Sequence, residues 1–182
     1  MNTLIVYYSF TSNNEKLAFY LTKQLHCDVA KLETISKRSG FSIMLDLLFK
    51  RKPALKPLHL NLKDYHDIIF IGPVWAGKVA TPLKSFIINE RENIRDYSFI
   101  TVCGGGNRDQ KAHIIHELTS AIGKEPVKVV ELWINDILSE KKKDTIKYTS
   151  GYRLEVDDFK KFETSLNDFI AEHAKEIEPV KI

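Results

Sequence analysis

Residues 68–82 read Ile-Ile-Phe-Ile-Gly-Pro-Val-Trp-Ala-Gly-Lys-Val-Ala-Thr-Pro. The apolar run Ile68–Gly72 is almost continuous, which predicts a strand that is buried on both faces of a sheet. A loop of small residues around Trp75 comes next, and Pro82 then suits the first turn of a helix. A strand, a loop and a helix in this order are typical of a parallel sheet covered by helices.

The same pattern recurs along the chain. Apolar runs predict further strands at Leu4–Tyr8, Phe99–Cys103 and Val127–Leu132, with a weaker one at Asp28–Leu32. Apolar residues three and four positions apart predict four helices between and after these strands. The helical positions are Leu17, Ala18, Leu21, Leu25, Leu83, Phe86, Ile87, Ile114, Ile115, Leu118, Ile122, Phe159, Phe162, Leu166, Phe169 and Ile170. The alternation predicts a three-layer, doubly wound α/β sandwich with a parallel sheet.

Composition narrows the class of protein. The chain has 182 residues, 43% hydrophobic and 28% charged, which suits a single domain over residues 1–182. We expect a cytoplasmic location, because the N-terminus lacks a secretory signal pattern and two cysteines are too few for a disulfide framework. The net charge of +3 is too small for a dedicated nucleic-acid binder. The basic clusters Lys50–Lys52 and Lys141–Lys143 are interpreted as solvated loops, so we expect neither nucleic acid nor membrane as a partner.

In an open parallel sheet, ligands bind beyond the carboxyl ends of the strands. The first loop at that edge, which follows Tyr8, is rich in hydroxyl and amide side chains and contains no Lys or Arg. Its composition, together with the N-terminus of the following helix, suits a phosphate monoester held by neutral donors. The alternative is simple capping of that helix by Ser12 or Asn13.

Two more loops carry signals of a binding site. Trp75 in the second loop is either a platform for a flat ligand or a plug at the rim of the core, and Gly77 allows a sharp turn. In the third loop, the glycines Gly104–Gly106 either bring backbone N–H groups close to a ligand or form a flexible turn.

Other classes of protein fit less well. Gly72–Lys78 outlines a P-loop, but Val79 replaces the hydroxyl that would bind Mg²⁺ and Pro73 removes a backbone N–H. No G-x-S-x-G motif supports a serine hydrolase. His113 and His116 have a possible metal spacing without supporting ligands, and Cys103 closes an apolar strand, so we interpret all three as structural residues.

In order and position, the three loops resemble those of the flavodoxin-like superfamily, and Pro73-x-Trp75-x-Gly77-x-x-x-x-Pro82 is the most specific part of the match. The resemblance covers residues 1–132 and the final helix. It implies a five-stranded parallel sheet of order 2-1-3-4-5, with FMN near strands 1 and 3. It also implies that the first loop surrounds the FMN phosphate and that the other two line the flavin ring. The implied FMN contacts are Ser9, Thr11, Ser12, Asn13, Asn14, Pro73, Val74, Trp75, Ala76, Gly77, Cys103, Gly104, Gly105, Gly106 and Asn107.

The resemblance implies redox chemistry that belongs to FMN, with no catalytic side chain and no metal. Ser12 stands where the family usually has glycine, and Asn14 stands where it usually has threonine. Electron-carrier flavodoxins are usually acidic and stack a tyrosine on the flavin, whereas this chain is basic and its third loop has no tyrosine. We therefore predict an NAD(P)H-dependent oxidoreductase of quinones or similar acceptors, with NADH or NADPH as donor. The alternative is an electron carrier that docks on a partner protein.

Two segments fit the α/β pattern less cleanly. Residues 34–60 surround the block Phe41–Phe49, which as a helix would be apolar almost all round and should touch more than one surface. This block predicts a homodimer interface, or else packing against residues 133–154, which are interpreted as a polar excursion before the last helix.

Overall fold

The protein is described by a computed structural model that covers residues 2–49, 51–106 and 109–174. Its strands are β1 (Thr3–Tyr7), β2 (Asp28–Lys31), β3 (Asp67–Ile71), β4 (Val74–Trp75), β5 (Lys78–Val79), β6 (Asp96–Cys103) and β7 (Val129–Trp133). Its α-helices are α1 (Asn13–Leu25), α2 (Gly40–Phe49), α3 (Thr81–Glu90), α4 (Gln110–Ile122), α5 (Ile134–Ile137), α6 (Ile146–Gly151) and α7 (Glu163–Ala174). Short 3₁₀ helices lie at Leu62–Asp64, Arg91–Asn93, Glu140–Lys142 and Val156–Phe162. None of the helices in these ranges has the length and apolar character that crossing a bilayer requires.

Five strands form one parallel sheet in the order β2-β1-β3-β6-β7, which confirms the predicted order 2-1-3-4-5. The central strand β3 is buried at every position, as its continuous apolar sequence predicts. The strand β6 begins at Asp96, earlier than the predicted Phe99, because Tyr97 and Ser98 are polar in sequence but fully buried in the sheet.

Helices cover both faces of the sheet and make the three layers. Alternate strand residues point to opposite faces, so Val6 and Phe70 pack with α3 and α4 while Ile5 and Ile69 pack with α1 and α7. The predicted helical stripe from Phe159 onward spans two elements, the last 3₁₀ helix and α7. The doubly wound α/β fold is therefore confirmed, with a core on each side of the sheet.

The apolar block of residues 34–60 forms α2, which packs against α3 by one side. Ile43 and Asp46 are buried on that side, whereas Phe41, Met44 and Leu48 are exposed. In this structure the helix therefore presents a row of large apolar side chains to solvent, and the predicted dimer stays a prediction.

The side chain of Asn14 links α1 to β6. The last pair between β3 and β6 joins Ile71 to Ile100, so Val102 extends beyond the end of β3. Asn14 fills that gap, because its Oδ1 accepts from the Val102 N–H at 2.9 Å and its Nδ2 donates to the Val102 carbonyl at 3.1 Å. Both hydrogen bonds are buried, so the amide replaces the missing strand.

We predict that Asn14→Leu lowers the free energy of unfolding by about 3 kcal/mol, because it leaves a buried N–H and a buried carbonyl without partners. Urea denaturation measures the change. Asn167→Leu, at an exposed position of α7, is the matched control and should shift stability by less than about 0.5 kcal/mol. Equal effects of the two variants would contradict the role assigned to Asn14.

Candidate functional site

The first loop runs from the end of β1 into α1 at the carboxyl edge of the sheet. Ser12 adopts a left-handed conformation, with φ 69° and ψ −9°, and its side chain makes no capping hydrogen bond. This is the position at which a glycine was expected from the resemblance, and glycine adopts that conformation without steric cost. Among the described residues the Ser12 hydroxyl makes no capping hydrogen bond, and the backbone turn is the structural feature of this position.

The two asparagines of this loop have structural partners. The Asn13 amide accepts from the Leu154 N–H at 3.0 Å and donates to the Tyr152 carbonyl at 3.0 Å, and Asn14 pairs with β6 as described above. Both side chains are buried. The Asn13 side chain therefore does not cap α1. Both residues offer a ligand their backbone N–H groups, which have no acceptor within the helix.

Ser9 is the most suggestive polar group of the first loop. Its Oγ is buried, and within the described part of the chain it has no hydrogen-bond partner. A buried hydroxyl without a partner is costly, and a ligand at this place would supply one. Thr11 is half-buried, Ser12 is exposed, and α1 directs the positive end of its dipole to the same place. The arrangement fits an anion.

Sequence reasoning missed Arg38. A cavity of about 510 Å³ beside the first loop is lined by Ser9, Phe10 and the segment after β2, including Lys37 and Arg38. The Arg38 guanidinium pairs with Asp46, and its Nε is buried with no partner among the residues described. Since β2 lies beside β1 in the sheet, residues that follow β2 meet the same edge. The position of Arg38 after the strand next to β1 was therefore the sequence signal that could have indicated a cation at this edge.

The second loop is a tight hairpin of β4 and β5. Ala76 and Gly77 form its turn with φ 49° and φ 75°, as a two-residue turn of type I′ requires. Trp75 is half-buried and packs edge-on against Tyr8, with ring centroids 6.0 Å apart, and against Phe10, at 6.2 Å. The hairpin and these two rings fix the indole beside the first loop, so the structure leaves both interpretations of Trp75 open.

The third loop follows β6 and approaches other parts of the chain closely. The Gly104 carbonyl accepts from the Asn135 N–H at 2.9 Å, and a Cβ on Gly104 would lie 3.2 Å from the Thr149 side chain. A Cβ on Gly105 would lie 3.3 Å from Asn135, and Gly105 and Gly106 are exposed. The glycines therefore fit the loop against residues 133–154 on one side and leave its backbone open on the other. Asn107, also predicted as a contact, lies outside the described residues.

Cys103 ends β6 beneath this loop. Burial raises the pKa of the thiol to about 12, and its Sγ lies 3.8 Å from the Gln110 amide nitrogen. A thiol that is buried and protonated is a poor nucleophile, so Cys103 fits the structural interpretation.

A groove of about 820 Å³ lies between α3 and α4 and borders the hairpin at Ala76 and Gly77. His113 and His116 line it, and the described residues hold no cluster of three or more His, Cys, Asp or Glu suited to a metal ion. We place the candidate site at the loops and not in this groove. The reason is that the Ser9 hydroxyl and the Arg38 Nε, both buried and without a partner among the described residues, lie at the first loop and not in the groove.

Comparisons with known proteins agree with the fold. A flavoprotein from Lactobacillus acidophilus, solved in complex with FMN, is 16% identical over 71% of this chain and 92% of its own, with a TM-score of 0.63. A protein named as a candidate flavoprotein, from Bacteroides uniformis, is 18% identical over 81% of this chain and 98% of its own, with a TM-score of 0.62. No protein-family model and no curated protein matches the sequence. At this identity the likeness establishes a flavodoxin-like fold.

We predict that Ser12→Gly raises the free energy of unfolding by about 0.5–1 kcal/mol, because glycine relieves the left-handed strain. Ser12→Ala keeps the strain and removes only the hydroxyl, so it should change stability by less than about 0.5 kcal/mol. Thermal denaturation without added ligand compares the two variants. If Ser12→Gly is no more stable than Ser12→Ala, the backbone conformation is not what limits this position.

Proposed function

We propose that this chain binds FMN and uses it in redox reactions. The observation that carries the proposal is the Ser9 hydroxyl, which is buried just after β1, beside the N-terminus of α1, and has no hydrogen-bond partner among the residues that the structure describes. A terminal phosphate accepts hydrogen bonds from hydroxyls and from the first N–H groups of a helix. The fold supports the proposal, since the Lactobacillus acidophilus flavoprotein of similar fold was solved with FMN.

Residues of all three loops have assigned parts in this proposal. Ser9, Thr11 and Ser12, with the backbone N–H groups of Asn13 and Asn14, would hold the phosphate. Arg38, which pairs with Asp46, would add the N–H of its Nε, which has no partner among the described residues. The hairpin from Pro73 to Gly77 would lie along one side of the flavin ring, and the backbone of Cys103–Gly106 would contact its other edge. When bound, FMN supplies one- and two-electron chemistry, and the protein supplies binding, orientation and electrostatics.

The proposed activity is reduction of quinones or similar small acceptors, with NADH or NADPH as electron donor. The sequence from Gly104 to Asp109 contains no aromatic residue that would cover the ring. A nicotinamide must approach within about 3–3.5 Å of its reaction partner, so an uncovered face suits direct reduction. The net charge of +3 favours anionic small molecules as reaction partners. Electron-carrier flavodoxins, in contrast, are usually acidic.

We predict that FMN binds with one-to-one stoichiometry and that its fluorescence is quenched on binding. FAD should bind less tightly, because the first loop suits a terminal phosphate, which FMN has and FAD lacks.

Trp75→Ala should weaken FMN binding about tenfold, since stacking contributes on the order of 1 kcal/mol beyond area burial. Phe19→Ala removes an exposed aromatic residue two turns along α1 and is the control.

Fluorescence titration of the purified protein gives the stoichiometry and the affinities. No quenching at micromolar FMN would contradict the central proposal. Unchanged affinity in Trp75→Ala would instead identify Trp75 as a plug of the core rim and leave FMN binding intact.

We predict that NADH or NADPH bleaches the flavin absorbance of the FMN-loaded protein directly and that a quinone restores it. Anaerobic stopped-flow absorbance measures both phases. If neither nicotinamide bleaches the band within minutes, while a reduced iron–sulfur protein does, the chain is an electron carrier. FMN binding itself would stand in either case.

A further inference from the structure

The outward side of α2 forms an exposed apolar surface, here called the α2 face. It consists of Phe41, Met44, Leu48 and Phe49, each between 52% and 69% exposed. Phe41, Met44 and Leu48 recur at intervals of three and four residues, so they form one stripe along the helix. A cluster of exposed large apolar residues of this kind usually marks a binding surface.

The acidic residue of this segment is turned away from the α2 face. Between residues 35 and 52 the sequence contains one acidic side chain, Asp46. It is buried on the opposite side of α2, where it pairs with Arg38 and accepts a hydrogen bond from the Thr81 hydroxyl at 3.3 Å. The segment therefore directs no negative charge outward.

Basic side chains border both ends of the α2 face. Lys37 precedes α2 and lines the cavity beside the first loop, and Arg51 and Lys52 follow α2 and line a second cavity at the edge of α3. All three are exposed, and within the described residues none of them takes part in an ion pair. The Arg51 guanidinium lies over the Phe49 ring, 5.4 Å from its centroid, so a cation sits at the edge of the apolar stripe. Lys50, part of the basic cluster in the sequence, lies outside the described residues.

We propose that the α2 face binds the surface of a membrane that contains anionic lipids. A helix in this setting buries its apolar residues at the boundary of headgroups and acyl chains while neighbouring cations meet the lipid phosphates. Here the Arg51 guanidinium lies against the apolar stripe at Phe49, and Lys37 and Lys52 lie exposed near the two ends of the same helix. The sequence alone favoured solvated loops for the basic cluster, because it does not show that the cations border an exposed apolar helix.

A second copy of this chain is the competing occupant. In a symmetric dimer through α2, each face would carry the same cations, Lys37, Arg51 and Lys52, and no acidic side chain of the segment to pair with them. An anionic bilayer has the complementary charge. The charge on the α2 face therefore favours lipid over self-association.

The test is co-sedimentation with vesicles of phosphatidylcholine alone and of phosphatidylcholine mixed with phosphatidylglycerol. The wild-type protein should bind the anionic vesicles only, and salt should weaken binding. Phe41→Ser with Leu48→Ser should lower the partition coefficient more than about tenfold. Arg51→Gln with Lys52→Gln should lower it by roughly fivefold for each charge removed.

Two control variants make the same kinds of change elsewhere on the surface. Ile146→Ser with Val156→Ser removes exposed apolar residues, and Lys141→Gln with Lys142→Gln removes exposed cations. Both should bind vesicles as the wild type does, and circular dichroism checks that every variant is folded. Arg51 and Lys52 are exposed, so their replacement should leave the fold intact. The charge variant therefore tests the proposal even if the apolar variant unfolds.

Three outcomes would overturn the proposal. The first is equal binding to neutral and anionic vesicles, and the second is an equal loss of binding in the control variants. The third is a dimer in sedimentation equilibrium that Phe41→Ser with Leu48→Ser dissociates while no vesicle is bound, which would assign the α2 face to a second copy. Vesicle binding is measured both without and with FMN, because Arg38 connects the proposed phosphate site to Asp46 of α2, and the failure of one proposal is thereby distinguished from the failure of the other.

Discussion

The strand β3 ends before its neighbour β6, and the Asn14 amide occupies the place where the next residue of β3 would pair. This one contact holds the start of α1 against the end of β6. It thereby sets the first loop and the third loop on either side of the central strand, while the hairpin after β3 occupies the space between. An amide is needed here because the gap exposes both a donor and an acceptor, and a carboxylate or a hydrocarbon would leave at least one unsatisfied.

The fold could be predicted from the sequence because its strands are buried on both faces. Runs such as Ile68–Gly72 have no polar positions and so differ from the pattern of a surface helix. The order of the strands was implied by the resemblance of the three loops to those of the flavodoxin-like superfamily. The start of β6 was missed because burial of Tyr97 and Ser98 depends on neighbouring elements, which composition does not report.

Predictions at the site were less complete for a physical reason. The amides of Asn13 and Asn14 serve equally well as ligand donors and as partners of buried backbone, and only the packed chain distinguishes the two uses. Arg38 lies far from the first loop in sequence and reaches it through the neighbouring strand β2. In the same way the apolar composition of α2 indicated a helix but not which side α3 would cover.

Asn135 has two attachments: its backbone holds the Gly104 carbonyl, and its side chain exchanges two hydrogen bonds with Asp144, at 2.7 and 2.9 Å. The α5–α6 region is thus joined to the third loop by contacts that involve no residue of the sheet core. Ile134 and Leu154 belong to the core, but the segment 139–151 between them is exposed or half-buried throughout. That segment can be lengthened, shortened or replaced in the course of evolution without disturbing the strands. Change there offers a route by which one sheet acquires new substrate preferences, and it is where an engineer would first introduce diversity.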